Sequence, residues 1–499
     1  MTADQRQEIK PDICVIGAGA GGLAAASAAA AFGVNVVLIE KAKMGGGSLN
    51  NGALPSKALI AAAERAHILR QGLFRDGARL AVNAVRVGVD FATVRAHVHD
   101  VVAAVAPQDS RERFNGLGVR VFAGEGRFTD AETVAIDGYD VKARRFVIAT
   151  GSSPALPAIP GLGEVPYLTN ETVFDLAECP RHLVVIGADS AGLELAQAFR
   201  RFGAEVTVLE PATPLAGADG ECAAVVVDAL AREGVTLRTG IAIKQVRRSM
   251  ARIQVDIEAG AAPNNGQDGQ PENPQQPRAE TIEASHLLIA AGRRPNLETL
   301  DLDAAGIRYR PDGIVVDHGL RTSNKRVYAI GDVTGAPKLS HLAHHQAGLV
   351  VRNALFRTPV HADRLAVPSV TYTDPELAQV GLTEDEARAE AFVIRVLRSP
   401  YRENDRARAT GATSGHVKIV TDRKGNILGA TIVGAGAAEN IATWTLAINQ
   451  KLNIDAIAGV IVPYPTYAEV GKRAAMTYFT RGLTSPLVRR IIGWLRRFG

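Results

Sequence analysis

Cysteine is scarce: Cys14, Cys179 and Cys222 lie far apart and form neither a CxxC pair nor a metal-ligand spacing. The sequence therefore offers no disulfide framework and no metal site. Long apolar runs are missing as well, since no stretch approaches the roughly 18 consecutive apolar residues of a membrane span. The N-terminal MTADQRQEIKPD has no apolar stretch ahead of a cleavage site, so a cytoplasmic location is expected. One-sided charge is absent too. The net formal charge is +4, too small and dispersed to argue for nucleic acid as the main partner. With 46% apolar and 22% charged residues the balance is that of a folded protein, which excludes global disorder.

What is in excess is glycine, 49 of 499 residues, clustered beside β-branched apolar runs. At roughly 150 residues per domain the chain should hold about three domains. Residues 12–40 read as strand, turn, helix, strand, and residues 182–210 repeat the plan. Two such units predict two dinucleotide-binding domains. The expected division is a first domain over 1–170, a second over 171–295, a return to the first over 296–360, and a further domain over 361–485. Within the second, GAAPNNGQDGQPENPQQPR at 260–278 reads as a disordered insertion in a hairpin loop. The fold class expected is α/β, two Rossmann-like domains followed by an α+β domain.

Gly17, Gly19 and Gly22 form GxGxxG between an apolar strand and an alanine-rich helix. The first glycine makes the tight turn, the second lets backbone amides approach a pyrophosphate, and the third lets helix and strand pack closely. Glu40, ending the next strand, is placed to accept from a ribose. The bland reading is a glycine-rich helix start without a ligand. In the second unit Gly187 and Gly192 keep the outer positions, but Asp189 stands in the middle. Its charge would oppose a pyrophosphate by up to about 4 kcal/mol at an effective dielectric near 20, before screening. Glu210 ends the following strand and no arginine pair follows it, which favours NADH over NADPH.

The segment MGGGSLNNGALPSKAL at 44–59 resembles the signature of the flavoprotein pyridine nucleotide–disulfide oxidoreductases, the family of dihydrolipoamide dehydrogenase and mercuric reductase. Gly124-Glu125-Gly126, ATG at 149–151, AIGDV at 329–333 and LSHLA at 339–343 resemble its flavin-contacting stretches, and TDPELAQVG at 373–381 and PYPTYAE at 463–469 its dimerisation domain. The resemblance covers nearly the whole chain and implies FAD, a nicotinamide nucleotide and a homodimer. It assigns Lys41, Gly46, Gly47, Gly124, Gly126, Thr150, Gly151, Ser152, Asp332, Leu339, Ser340 and His341 to the flavin dinucleotide, and Gly292 to the return from the second domain.

Where that signature carries two redox cysteines, this sequence has Ser48 and Ala53. Neither a hydroxyl nor a methyl exchanges a disulfide. The family's acid–base histidine is matched by Tyr464, whose ordinary pKa near 10 suits a proton shuttle poorly, and Glu469 lacks its usual partner. Neighbouring departures at Gly47 and Asn51 point to natural divergence rather than an engineered dead variant. The resemblance places Lys57 beside flavin N5 with Glu194 as its ion-pair partner, against the bland reading of a surface lysine and a helical glutamate. Removal of two sulfurs leaves space for a small, flat oxidant.

The last stretch, 486–499, reads as a basic amphipathic helix. Leu487, Val488, Ile491, Ile492, Trp494, Leu495 and Phe498 fall within roughly 160° of arc, opposite Arg489, Arg490, Arg496 and Arg497. It can lie in a bilayer interface, peripheral on the inner face of a membrane, or pack on the protein.

The expectation is an FAD-dependent NADH oxidoreductase passing electrons to a small non-disulfide acceptor, quinone first. The competing readings are a flavin-loaded binding or regulatory protein and a cysteine-less variant of a dihydrolipoamide dehydrogenase- or mercuric reductase-like enzyme.

Overall fold

A strand buried on both faces needs a continuous apolar run rather than an alternation, and Ile13–Ile16 and Val36–Glu40 are such runs. In the computed structural model, which describes residues 6–71, 88–250, 252–259, 278–362, 366–390, 393–483 and 486–498, they pair in parallel at the heart of a five-stranded sheet. Its order is Val327–Ala329, Arg145–Ile148, Ile13–Ile16, Val36–Glu40, Val119–Ala123, all parallel. The edge strand Val327–Ala329 arrives only after the second domain is complete, so that domain is inserted into the first.

The second domain has a four-stranded parallel sheet ordered Val235–Thr239, Glu205–Glu210, His182–Ile186, His286–Ile289. One face is covered by the antiparallel strands Ile241–Ser249, Arg252–Ala259 and Arg278–Ala284, which close a core around Val184, Leu209 and Val255. The expected insertion lies, apart from Arg278, outside the described residues. The chain leaves the first domain through Ser152–Pro154 and returns through Arg293–Pro295, and these two segments pair antiparallel as a link. Leu162 and Val165 already pack in the second domain's core, so that domain begins nearer the link than residue 171.

The two domains repeat one another bond for bond at their glycine loops. The Gly17 amide donates to Ile39 O at 2.8 Å and Gly187 to Leu209 O at 2.9 Å, while Ala149 donates to Ile16 O and Ala290 to Ile186 O, both at 2.8 Å.

The C-terminal domain is a five-stranded antiparallel sheet, Ser369–Thr371, Leu377–Gly381, Ile427–Val433, His416–Asp422, Ile394–Pro400. It is flanked by helices Ala437–Asn449 and Ala468–Leu483, with Trp444 buried between them and the sheet. The last helix runs Pro486–Leu495 and stops short of the expected end. Arg497 and Phe498 donate to the carbonyls three residues back, so the chain closes in a tight turn. Among the described residues no helix is long and apolar enough to cross a membrane.

A buried polar cluster ties the C-terminal domain to the second domain. Lys418, 6% exposed, meets Asp219 at 2.8 Å, Glu384 at 2.9 Å and Glu221 at 3.1 Å. Arg398 bridges Glu221 and Glu384 from the rim. Removing the ammonium leaves carboxylates facing one another, so Lys418→Met should destabilise the fold by about 3 kcal/mol in urea unfolding. Arg398 first, and Lys418 after it, pull the Glu221 carboxyl down from 4.5 to about 2. The stability Glu221 contributes is therefore full above its unfolded value and drains as pH falls through about 2. A variant as stable as the parent across that range would contradict the assignment.

Candidate active site

The first and third glycines of each loop admit no side chain. A Cβ on Gly17, at φ +103°, would sit 2.4 Å from Ala149 O, and one on Gly22 would sit 1.8 Å from Gly17 O. In the second loop the matching distances are 2.4 Å from Gly187 to Ala290 O and 2.1 Å from Gly192 to Gly187 O. The middle position differs. Gly19 has φ −81°, ψ −175°, and Asp189 has φ −76°, ψ 174°, ordinary extended backbone that any residue adopts. Asp189 thus leaves the loop geometry intact, and its influence is confined to what lies over the loop.

Helix Ala20–Ala31 begins at Gly19 without a side-chain cap, so its first-turn amides face outward as an anion cradle. Gly46 packs against this loop so closely that its Cβ would sit 2.6 Å from Gly19 Cα, with Gly47 beside it. Glu40 accepts from the Ala18 amide at 2.6 Å and the Ala42 amide at 2.8 Å. Glu210 accepts from Ala188 and Ala212, both at 2.8 Å. Each glutamate therefore braces its own loop, a duty its position in the sequence did not reveal. A carboxylate has about four acceptor directions, which leaves two for a ribose. Amides, glycines and carboxylate together fit a dinucleotide.

Around this cradle the other residues fall into connected groups. Lys41 pairs with Glu125 at 3.0 Å at the exposed edge, between Gly124 and Gly126 and the strand ending at Glu40. Thr150 and Asn296 exchange hydrogen bonds at 2.9 and 3.0 Å, and the Asn296 amide donates to Gly151 O. Ser152 donates to Asp332 at 2.5 Å and accepts from Arg293 Nε at 2.8 Å. Gly292, at φ +100°, turns the returning chain into this network. Helix Ser340–Phe356 starts at Leu339, again without a side-chain cap; Ser340 shares a 2.5 Å hydrogen bond with Ser48, and His341 Nε2 donates to Pro368 O at 2.8 Å. Ala53 opens helix Ala53–Gln71, which also carries Lys57.

Lys57 and Glu194 meet at 2.7 Å, across the boundary between the first and second domains. Glu194 is 5% exposed and its other oxygen accepts from the Tyr372 amide at 2.8 Å, while the Lys57 ammonium lies 4.3 Å from the Tyr372 ring centroid. A buried carboxylate is tolerated because it is paired and hydrogen-bonded on both oxygens. Tyr372, Arg293 and Asn296 were not singled out as site residues from sequence, although Tyr372 adjoins TDPELAQVG and the other two sit in the Gly292-Arg293-Arg294-Pro295-Asn296 turn.

Tyr464 and Glu469 stand apart from these groups within one protomer. Tyr464 is 70% exposed and donates to Asp405 at 3.0 Å. Its hydrogen bond to that carboxylate and the charge behind it hold the phenol above its usual range. Glu469 accepts from the Thr466 amide at 3.4 Å and does not orient Tyr464.

The fold and these groups define a two-dinucleotide flavoprotein with an appended dimerisation domain. The chain belongs to the pyridine nucleotide-disulphide oxidoreductase family, whose pattern matches residues 11–347, with the family's dimerisation domain matched at 367–475. Among relatives, it is 32% identical to a mercuric reductase of Staphylococcus aureus, over 94% of this chain and 82% of that one. It is 35% identical to a mercuric reductase of Streptomyces lividans and 34% identical to a dihydrolipoyl dehydrogenase of Geobacillus stearothermophilus, each over 94% of this chain and 96% of the relative. A similar fold is found in the Cu(II) complex of the HOCl-induced flavoprotein disulfide reductase RclA from Escherichia coli, with a TM-score of 0.81 at 24% identity over 94% of this chain and 99% of that one. FAD and pyridine nucleotide binding are expected of the family, and its dimerisation domain supports a homodimer.

Desolvation beside the loop, and then the Glu210 carboxylate, push the Asp189 carboxyl above its ordinary range, with Lys338 opposing them. An ionised Asp189 repels a pyrophosphate, and a protonated one does not. Asp189→Asn should therefore lower the KM for a reduced pyridine nucleotide roughly tenfold at pH 8, a change of about 1.4 kcal/mol. The advantage should shrink as pH falls into the range where Asp189 itself takes up a proton. Equal KM values at pH 8 would show that the charge is not felt.

Proposed function

We propose that this chain is an FAD-dependent NADH oxidoreductase that passes electrons to a small non-disulfide acceptor, of which a quinone is the first choice. The observation that carries the reading is the Lys57–Glu194 pair, retained beside a segment in which Ser48 and Ala53 stand where the family signature has thiols. Bound FAD would supply two-electron chemistry between a reduced nicotinamide and an oxidised acceptor.

The chain's own residues do the rest. Lys57 presents a positive charge that Glu194 and the Tyr372 ring hold in place, so it stabilises negative charge developing nearby without reorganising. Glu40 and the amides at Gly19 bind the flavin dinucleotide, and Asp332, steadied by Ser152, takes part in orienting it. Ser48 is tied to Ser340, which keeps its hydroxyl as a polar contact rather than a nucleophile. Tyr464, kept protonated by Asp405, spends its hydroxyl hydrogen on that carboxylate, so toward the partner subunit's site it offers an acceptor oxygen and no ready proton exchange. Glu210 and the absence of arginine over 211–218 favour NADH over NADPH.

A flavin-loaded protein without turnover is the second reading, favoured by Asp189. Anaerobic mixing with NADH separates the two. Rapid bleaching of the oxidised flavin band is expected, slowed by about 10²-fold in Lys57→Met with the flavin still bound. An unchanged spectrum would support the second reading, and equal rates in the variant would remove Lys57 from the mechanism.

A further inference from the structure

Charge in this chain is concentrated at one end. Residues 470–499 contain Lys472, Arg473, Arg481, Arg489, Arg490, Arg496 and Arg497 and no acidic residue. They hold +7 of a chain total of +4, so the other 469 residues are net −3. The terminal helix Pro486–Leu495 sits inside this basic tail, adjoining helix Ala468–Leu483. The later part of its apolar side is uncovered in the protomer: Ile491, Ile492, Trp494, Leu495 and Phe498 are 48–72% exposed, with the Trp494 and Phe498 rings stacked edge-on at 4.8 Å.

We infer that the terminal helix docks on an anionic phospholipid surface. An apolar face of this size needs a cover, and the arginines beside it decide which. A second copy of the chain brings an equally basic tail, and the slight negative charge of the body is spread over 469 residues. A layer of anionic headgroups supplies negative charge at high density, and its acyl boundary accepts the apolar face with Trp494 at headgroup depth. At ten residues and about 1.5 Å per residue the helix is far too short to cross a bilayer, so it lies in the plane. Each arginine at such a surface raises partitioning by roughly fivefold. Docking does not depend on which acceptor the flavin site uses.

The test is flotation of the full-length, flavin-loaded protein with vesicles of phosphatidylcholine alone and of phosphatidylcholine with about a third phosphatidylglycerol. Binding to the anionic vesicles should exceed binding to the neutral ones by at least about tenfold and fall steeply near 0.5 M salt, roughly. Emission should shift to the blue, reporting Trp494, since Trp444 is already buried. A chain ending at Leu483 and the variant carrying Arg489→Gln, Arg490→Gln, Arg496→Gln and Arg497→Gln should both lose flotation while keeping bound flavin and their size in light scattering. Equal flotation on neutral vesicles, equal flotation of the truncated chain, or none at all would overturn the inference. So would dissociation of the truncated chain into monomers, which would show that the partner subunit covers the helix.

Discussion

A carboxylate held at 5% exposure needs a cation and donors on both oxygens, and Glu194 has them in Lys57 and the Tyr372 amide. These three groups come from three regions: Lys57 from helix Ala53–Gln71 of the first domain, Glu194 from the helix of the second glycine loop, and Tyr372 from the start of the C-terminal domain. Their meeting, together with the Arg70 bonds to the carbonyls of Arg201 and Phe202, joins the two nucleotide domains. It also holds the Lys57 ammonium in one place at the boundary between the two domains. Breaking the pair by removing one partner would strand the other in a site built for both.

The chain builds one loop twice and then treats the copies differently. Both copies exclude any side chain at the first and third glycines, because a Cβ on the first would meet the carbonyl of Ala149 or Ala290 and one on the third would meet the carbonyl of the first. Both brace the loop with the terminal glutamate of the neighbouring strand. At the middle position the backbone is extended in both, so a carboxylate stands there in the second copy without disturbing the loop. The same freedom applies at Ser48 and Ala53, where the local helices persist with a hydroxyl and a methyl.

What could be read from the residues, and what could not, follows from the range of the interactions. The strands of the two repeated units, their glycine loops and the ends at Glu40 and Glu210 depend on short-range geometry that only a few residue types satisfy, and these were legible. The Ser48–Ser340 bond joins residues 292 apart in sequence, and the Arg293–Ser152 bond joins residues 141 apart. Neither has a local pattern to announce it. Lys418 is hidden in the same way: a lysine within an apolar strand reads as an edge or an interruption until three carboxylates from two other segments close around it. The terminal helix was legible from its periodicity, but its end was not, because the tight turn at Arg497 and Phe498 preserves the same spacing of apolar groups.

The electron path proposed for this protein contains no sulfur. Cys14 and Cys222 are buried, and burial pushes both thiols far above their usual range, while Cys179 lies elsewhere in sequence and pairs with neither. The protein should therefore store electrons only on its flavin. Anaerobic reductive titration with dithionite measures that capacity directly: uptake of two electrons per bound flavin is the result expected, and uptake of four, with two new titratable thiols, would contradict the account.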